Sequence, residues 1–183
     1  MVLWIGVNQN RPQDSPDLLA FLAMPHFDLQ AMRHWLIKSE PDVFSIDDLA
    51  KVKQEPWSGV RNYQARNFMW KDMQAGDFAL FYHSNAVPPG VAGVARVVGE
   101  PYPDPTQFQE KSEYFDPKAS EDKPRWWLVD FEFVEKFPHY IPLADLKADA
   151  ALEGMLVLQK GTRLSITPVE PKHFKRVCKL GKK

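Results

Sequence analysis

The sequence predicts an α+β domain built on one small, strongly curved mixed β-sheet or barrel of about five or six strands, with short flanking helices. Three observations carry that expectation. Several short stretches either alternate apolar and polar residues or run apolar throughout, as strands do. The helical patterns between them are short and begin at capping signals. The length of 183 residues, 44% of them hydrophobic, suffices for one core and is too short for two ordinary domains.

Residues 1–31 read differently from the rest. Met1–Val7 is apolar but brief, and Asn8 to Pro12 end it before a signal-peptide core or a membrane span is reached. Prolines 12, 16 and 25 leave only Leu18 to Met24 as a short helix. The segment is expected to be a loosely ordered extension or a mis-assigned start, Met32 being the alternative; a docked arm is the competing reading. Residues 32–183 are expected to form the domain. Trp35-Leu36-Ile37 is a buried strand stopped at Glu40-Pro41. Ser45 caps a short helix, with Asp48 in the capping-box position. Tyr63 to Met73 is a second helix, ended by Gly76. Asp77 to His83 and Val91 to Val98 are strands of a hairpin with a long loop through Pro88-Pro89-Gly90.

Residues 100–125 carry no period and read as a long ordered loop. Their carboxylates (Asp104, Glu110, Glu113, Asp116, Glu121, Asp122) are expected to form a solvated face. Arg125 to Phe137 alternates strictly and is the clearest strand, with Trp127, Val129, Phe131 and Phe133 on one side. Pro142–Lys147 is a helical turn, and Thr162 to Val169 a strand with Leu164 and Ile166 inward. A second capping box, Thr167 with Glu170, leads into a helix over Pro171–Leu180.

Lys+Arg 23 against Asp+Glu 24 gives a formal net charge of -1, which is not the footprint of a protein that coats long nucleic acid by neutralising phosphates. A nucleic-acid partner would need a local basic patch and a pocket. The single cysteine, Cys178, excludes an internal disulfide and fits a reducing compartment. The expected location is the cytoplasm, with no membrane association, as a monomer. His34, His83, His139 and His173 show no ligand spacing, so neither a metal nor a cofactor is expected.

Four residue groups stand out. Trp57-Ser58-Gly59-Val60-Arg61-Asn62-Tyr63-Gln64-Ala65-Arg66-Asn67 sets an aromatic, a permissive glycine, two guanidinium groups and amides in a loop entering a helix. These are the side chains that hold a flat, polar ligand such as a nucleobase. Trp57 reads equally as a core plug, and Asn62 as the helix N-cap. Lys38-Ser39 emerges at a strand end, where a cation and a hydroxyl can face a ligand or simply solvent. Tyr82-His83-Ser84 ends another strand; adjacent strand residues face opposite ways, so a His83–Ser84 relay is disfavoured. In Gln159-Lys160-Gly161-Thr162-Arg163-Leu164-Ser165, the glycine and Arg163 are suited to an anion or to an ordinary turn.

Together with Phe81-Tyr82-His83-Ser84-Asn85, Gly90-Val91-Ala92-Gly93, Ile141-Pro142-Leu143 and Arg163-Leu164-Ser165-Ile166, these strings resemble the EVE domain family, a branch of the PUA-like superfamily that also contains YTH and ASCH domains. The resemblance covers about 34–180. It implies a PUA-like curved sheet, a pocket between strand ends and the adjacent helix, and non-enzymatic recognition of a modified base, such as a modified cytosine, in DNA or RNA. The base would be sandwiched by Trp57 and Trp126, the latter preferred over Trp127 because Trp127 shares the core face. Lys38, Ser39, Asn62, Tyr82 and Ser84 would read polar edges, and Arg61 and Arg163 would engage phosphate or carbonyl groups. Val60, Tyr63, Asn67, His83, Gln159 and Ser165 would complete the pocket. Two alternatives remain open: a site for a free planar metabolite, and a nucleic-acid-processing enzyme using His83 and Ser84.

Overall fold

The computed structural model describes residues 32–183; the expectations for 1–31 lie outside the described residues. Strand β1 (His34–Ser39) alternates its apolar side chains between two cores. Trp35 and Ile37 join one cluster with Trp57, Phe81 and Phe131, while Leu36 joins a second with Phe78, Leu80 and Phe174. Burial on both faces explains why the sequence is apolar without a break there. Helix α1 (Ile46–Val52) follows, and both halves of its Ser45–Asp48 capping box form. Strand β2 (Gln54–Pro56) leads through the Trp57 loop into α2 (Tyr63–Asn67), which widens into a π-helical turn, Phe68–Asp72, closed by Met73 N–H donating to Phe68 O.

Strands β3 (Phe78–His83), β4 (Gly90–Pro103) and β5 (Trp127–Pro142) form the centre of the sheet, and β6 (Ile166–Val169) pairs with β1. The order is β2-β5-β4-β3-β1-β6, with β1 and β3 parallel and the other pairs antiparallel. Among the described residues the sheet is therefore mixed and six-stranded, within the expected five or six. It is open rather than closed into a barrel, with β2 and β6 at its edges. Register shifts interrupt the β4–β5 pairing at Val91/Gly93, Val94/Ala95 and Val98/Tyr102, and such bulges bend and twist strands. At the first of them Gly93 is obligatory, because a Cβ would lie 2.3 Å from Glu135 O.

Helix α3 (Leu143–Ala148) and helix α4 (Pro171–Gly181) complete the elements; α4 seats His173, Phe174 and Val177 against the second core. Two local expectations need correction. The last strand begins at Ile166 rather than Thr162, because residues 159–162 turn and Arg163 is exposed. The Thr167–Glu170 capping box does not form. Thr167 lies inside β6 with its hydroxyl buried and without a partner among the described residues, and Pro171 at the first helical position makes Glu170 the cap residue.

Candidate functional site

A cleft of about 570 Å³ opens where β1 ends and β6 begins, lined by the Trp57–Arg61 loop and by residues 113–114, which pack on that loop. Its size suits a small planar ligand. Trp57 forms part of the lining yet is only 9% exposed, and its indole meets the rings of Phe44, Phe81 and Phe131 edge-on at centroid distances of 6.4, 5.7 and 5.4 Å. The two readings of Trp57 thus merge: it is a core plug whose remaining edge lines the cleft.

The lip is fixed by Asp104, which is 1% exposed. Its carboxylate accepts from Gly59 N–H (2.9 Å), Arg61 Nη1 (2.8 Å), Thr106 N–H (2.9 Å) and Thr106 Oγ1 (2.6 Å). Burial alone would raise its pKa; hydrogen bonds from Arg61, Thr106 and the Gly59 and Thr106 amides outweigh it and hold the group below the usual carboxylate value. Arg61 also donates to Tyr114 O, Thr106 Oγ1 and Val60 O, so every guanidinium proton has an acceptor within the protein. In this structure Arg61, expected to engage phosphate or carbonyl groups, staples the 104–114 loop to the Gly59 turn. Gly59 has φ +81°, and a Cβ there would lie 2.8 Å from the Tyr114 ring, so only glycine lets that ring close down.

Lys38, Ser39 and Ser165 also line the cleft. Burial lowers the Lys38 pKa, and among the described residues its ammonium meets only Thr162 O, at 3.5 Å. Ser39 Oγ donates to Phe44 O at 2.7 Å, and among the described residues nothing donates to its lone pairs. Glu55, also in the lining, has its pKa raised by burial and then by Asp130, so its carboxyl takes up a proton more readily than usual.

The expected residues divide sharply. Lys38, Ser39, Trp57, Val60, Arg61 and Ser165 share the cleft; the others lie outside its lining. Asn62 is the N-cap of α2, accepting from Gln64 and Ala65 N–H. Asn67 Oδ1 is taken by Arg66 Nε. Tyr82 is buried in the second core, on the far face of β3. His83 Nε2 accepts the Ile46 N–H (3.2 Å), and burial, opposed by Asp47 and aided by Lys136, lowers its pKa. Ser84 joins β1 through its backbone. Gln159 borders a separate depression beside Asp149, and Arg163 is exposed. Trp126 is buried behind Arg61, stacked on Tyr63 (4.9 Å, 19°) with its N–H on Asp116. It is Trp127 that keeps partial exposure, stacked on Trp70 (4.8 Å, 12°). Strand alternation misassigned the pair because β5 begins only at Trp127, leaving Trp126 in the loop.

With that geometry in view, the family model of the EVE domain matches residues 33–180. The chain belongs to the EVE domain family. This EVE chain is 46% identical to human thymocyte nuclear protein 1 over 168 residues, which span 82% of this chain and 74% of that protein. Its fold is similar to that of a Pseudomonas putida protein (TM-score 0.77, 46% identity, 81% of this chain and 99% of that one). It is equally similar to the human THYN1 protein solved in complex with 5-methylcytosine-containing DNA (TM-score 0.77, 43% identity, 83% and 99%). The family and fold implied by the sequence strings are borne out. Among the described residues of this EVE domain, no group of three or more His, Cys, Asp or Glu is placed to hold a metal ion. No helix among them is long and apolar enough to cross a membrane.

Sequence reasoning missed Phe44, Glu55, Tyr114 and above all Asp104, which it placed on a solvated face. One signal was readable. Asp104-Pro105-Thr106 has the form of an Asp cap followed by proline at the first helical position, and Pro105–Phe108 is a 3-10 helix capped by that carboxylate.

Proposed function

We propose that this EVE domain binds one unstacked, modified nucleobase of the cytosine type, within DNA or RNA, in the Trp57 cleft, without carrying out chemistry on it. The observation that carries this reading is the pairing of apolar walls (Trp57, Phe44, Tyr114) with an uncommitted ammonium, Lys38, and an easily protonated carboxyl, Glu55. Cytosine presents an amine donor beside ring-nitrogen and carbonyl acceptors. Glu55 is suited to accept from the amine, Lys38 to donate to an acceptor, and the apolar wall to take a carbon substituent. The charge balance also favours a base over a phosphate. Arg61 is neutralised by Asp104, and Glu40, Glu55 and Glu113 lie in the same lining. The complex of human THYN1 with 5-methylcytosine-containing DNA supports carrying the ligand class over at 43% identity. Unpairing a base costs a few kcal/mol, so single-stranded or mismatched sites bind best. The protein acts as a monomer in the cytoplasm.

Intrinsic tryptophan quenching, titrated with matched oligonucleotides carrying cytosine or modified cytosines and with the free nucleosides, tests this. Tighter binding of one modified base supports it. Equal, weak responses across the panel refute it, and full affinity for a free nucleoside with no gain from any polymer assigns the cleft to a metabolite.

A further inference from the structure

Beyond the cleft, α2 and its π turn carry an exposed aromatic and cationic face, of which only Tyr63 was expected in the base pocket and none lines the cleft. Tyr63 is 50% and Trp70 36% exposed, each with one ring face stacked on a tryptophan, Trp126 and Trp127 respectively. They lie seven residues apart, with Arg66 between them on the same helical side. The Arg66 guanidinium stands 5.0 Å from the Tyr63 ring and 5.4 Å from the Trp70 ring, and the Lys71 ammonium 4.9 Å from Trp70. Among the described residues neither cation pairs with a carboxylate: Arg66 bonds only to Asn67 Oδ1 and Arg125 O. The face is joined to the cleft by a continuous stack. Tyr114, in the cleft wall, and Trp126 each lie 5.3 Å from the Arg61 guanidinium, and Tyr63 stacks on the Trp126 ring. The helical turn that carries Trp70 is π-type, a distortion found often at functional sites.

We infer that the Tyr63–Trp70 face is a second nucleic-acid contact, a platform on which one or two nucleotides flanking the cleft-bound base stack while Arg66 and Lys71 meet the adjoining phosphates. Aromatic planes accept any base, and cations without carboxylate partners are the groups a phosphate can reach, so the contact is indifferent to sequence. Discrimination stays with the cleft; length-dependent and salt-dependent affinity comes from the platform. The inference rests on the base-binding reading for its geometry, but its test does not need that reading to hold.

The test uses the full chain and its Trp70→Ala and Lys71→Gln variants, with thermal melts as a check on folding. Anisotropy titrations and nucleoside competition compare a single modified nucleoside, a trinucleotide and a single-stranded 11-mer at two salt concentrations. The parent gains affinity with length. Trp70→Ala loses about tenfold on the 11-mer, the worth of one stacked base, with its nucleoside affinity unchanged. Lys71→Gln lowers the salt slope on the 11-mer by about one unit. No gain with length in the parent, or variants equal to the parent on the 11-mer, would overturn the inference, as would a loss of nucleoside binding equal to the loss on the 11-mer. If modified and unmodified oligonucleotides bind alike, the base-selective reading fails, while the length dependence still decides the platform.

Discussion

Asp104→Ala removes four hydrogen-bond acceptor contacts from the lip of the cleft, one of which is the ion pair with Arg61. A neutral hydrogen bond contributes about 1 kcal/mol net and a charge-assisted one about 1.5–3 kcal/mol. The losses overlap, because water can reach the half-buried Arg61 once the carboxylate is gone. Breaking a buried pair by deleting one partner costs about 3–5 kcal/mol, and the lower half of that range is expected here. For a domain of this size about 3 kcal/mol corresponds to a fall in Tm of about 10 °C. Affinity for a modified-base oligonucleotide should fall at least about tenfold, because Tyr114 and Gly59 lose their common anchor. Asp104→Asn keeps one acceptor oxygen but aims an N–H₂ at other donors, and should fall between. The acid dependence has a definite sign. The folded-state pKa lies below the usual 3.8, so the contribution is full above that value and is lost as pH falls through the folded value. The gap between parent and variant must therefore close in acid. Urea unfolding followed by tryptophan fluorescence measures it. A Tm within about 2 °C of the parent at pH 7, with binding unchanged, would refute the role given to this carboxylate.

Trp57→Ala should cost about 3–5 kcal/mol, since it opens a cavity among Phe44, Phe81 and Phe131; chemical denaturation reads this, and a loss under 1 kcal/mol would mean that the indole is not structural. Gly59→Ala forces a left-handed backbone on alanine and displaces Tyr114, so a loss of about 1–3 kcal/mol in melts and weaker oligonucleotide binding are expected. Lys38→Gln and Glu55→Gln should reduce the preference for a modified cytosine several-fold in competition titrations while moving Tm little, since neither group has a strong partner among the described residues. His34 and His83 both have pKa values lowered by burial, from 6.5. Stability should be full above pH 6.5, decline as pH falls below it and level off once the folded forms protonate; a flat urea midpoint between pH 7.5 and 5 would contradict this.

Much of the fold was readable because its elements announce themselves locally. Ser45 and Asp48 form their box within four residues, and the alternation of Phe78, Leu80 and Tyr82 against Ala79 and Phe81 divides cleanly between the two cores. The site was half readable. Trp57, Arg61, Lys38 and Ser39 reach one cleft because strand ends and the loop beside them converge there. What the residues do was less visible. Arg61 looks like a phosphate ligand until its acceptors, some 43 to 53 residues away, are known. Tyr82 shares a strand with His83, but the far face of β3 takes it into the second core. Asp104 looked like one acid among six, and its burial depends on long-range closure of a loop with no period of its own. Partnership across sequence distance is what pattern cannot supply.

With its guanidinium fully engaged before any ligand arrives, the Arg61 staple makes the rim of the cleft a gauge rather than a grasping hand. A ligand enters a slot of preset width, and little chain entropy remains to be lost on closing around it. Preference among substituents on the ring should then appear as different residence times, with association rates nearly constant, because a group that fits badly leaves sooner rather than arriving more slowly.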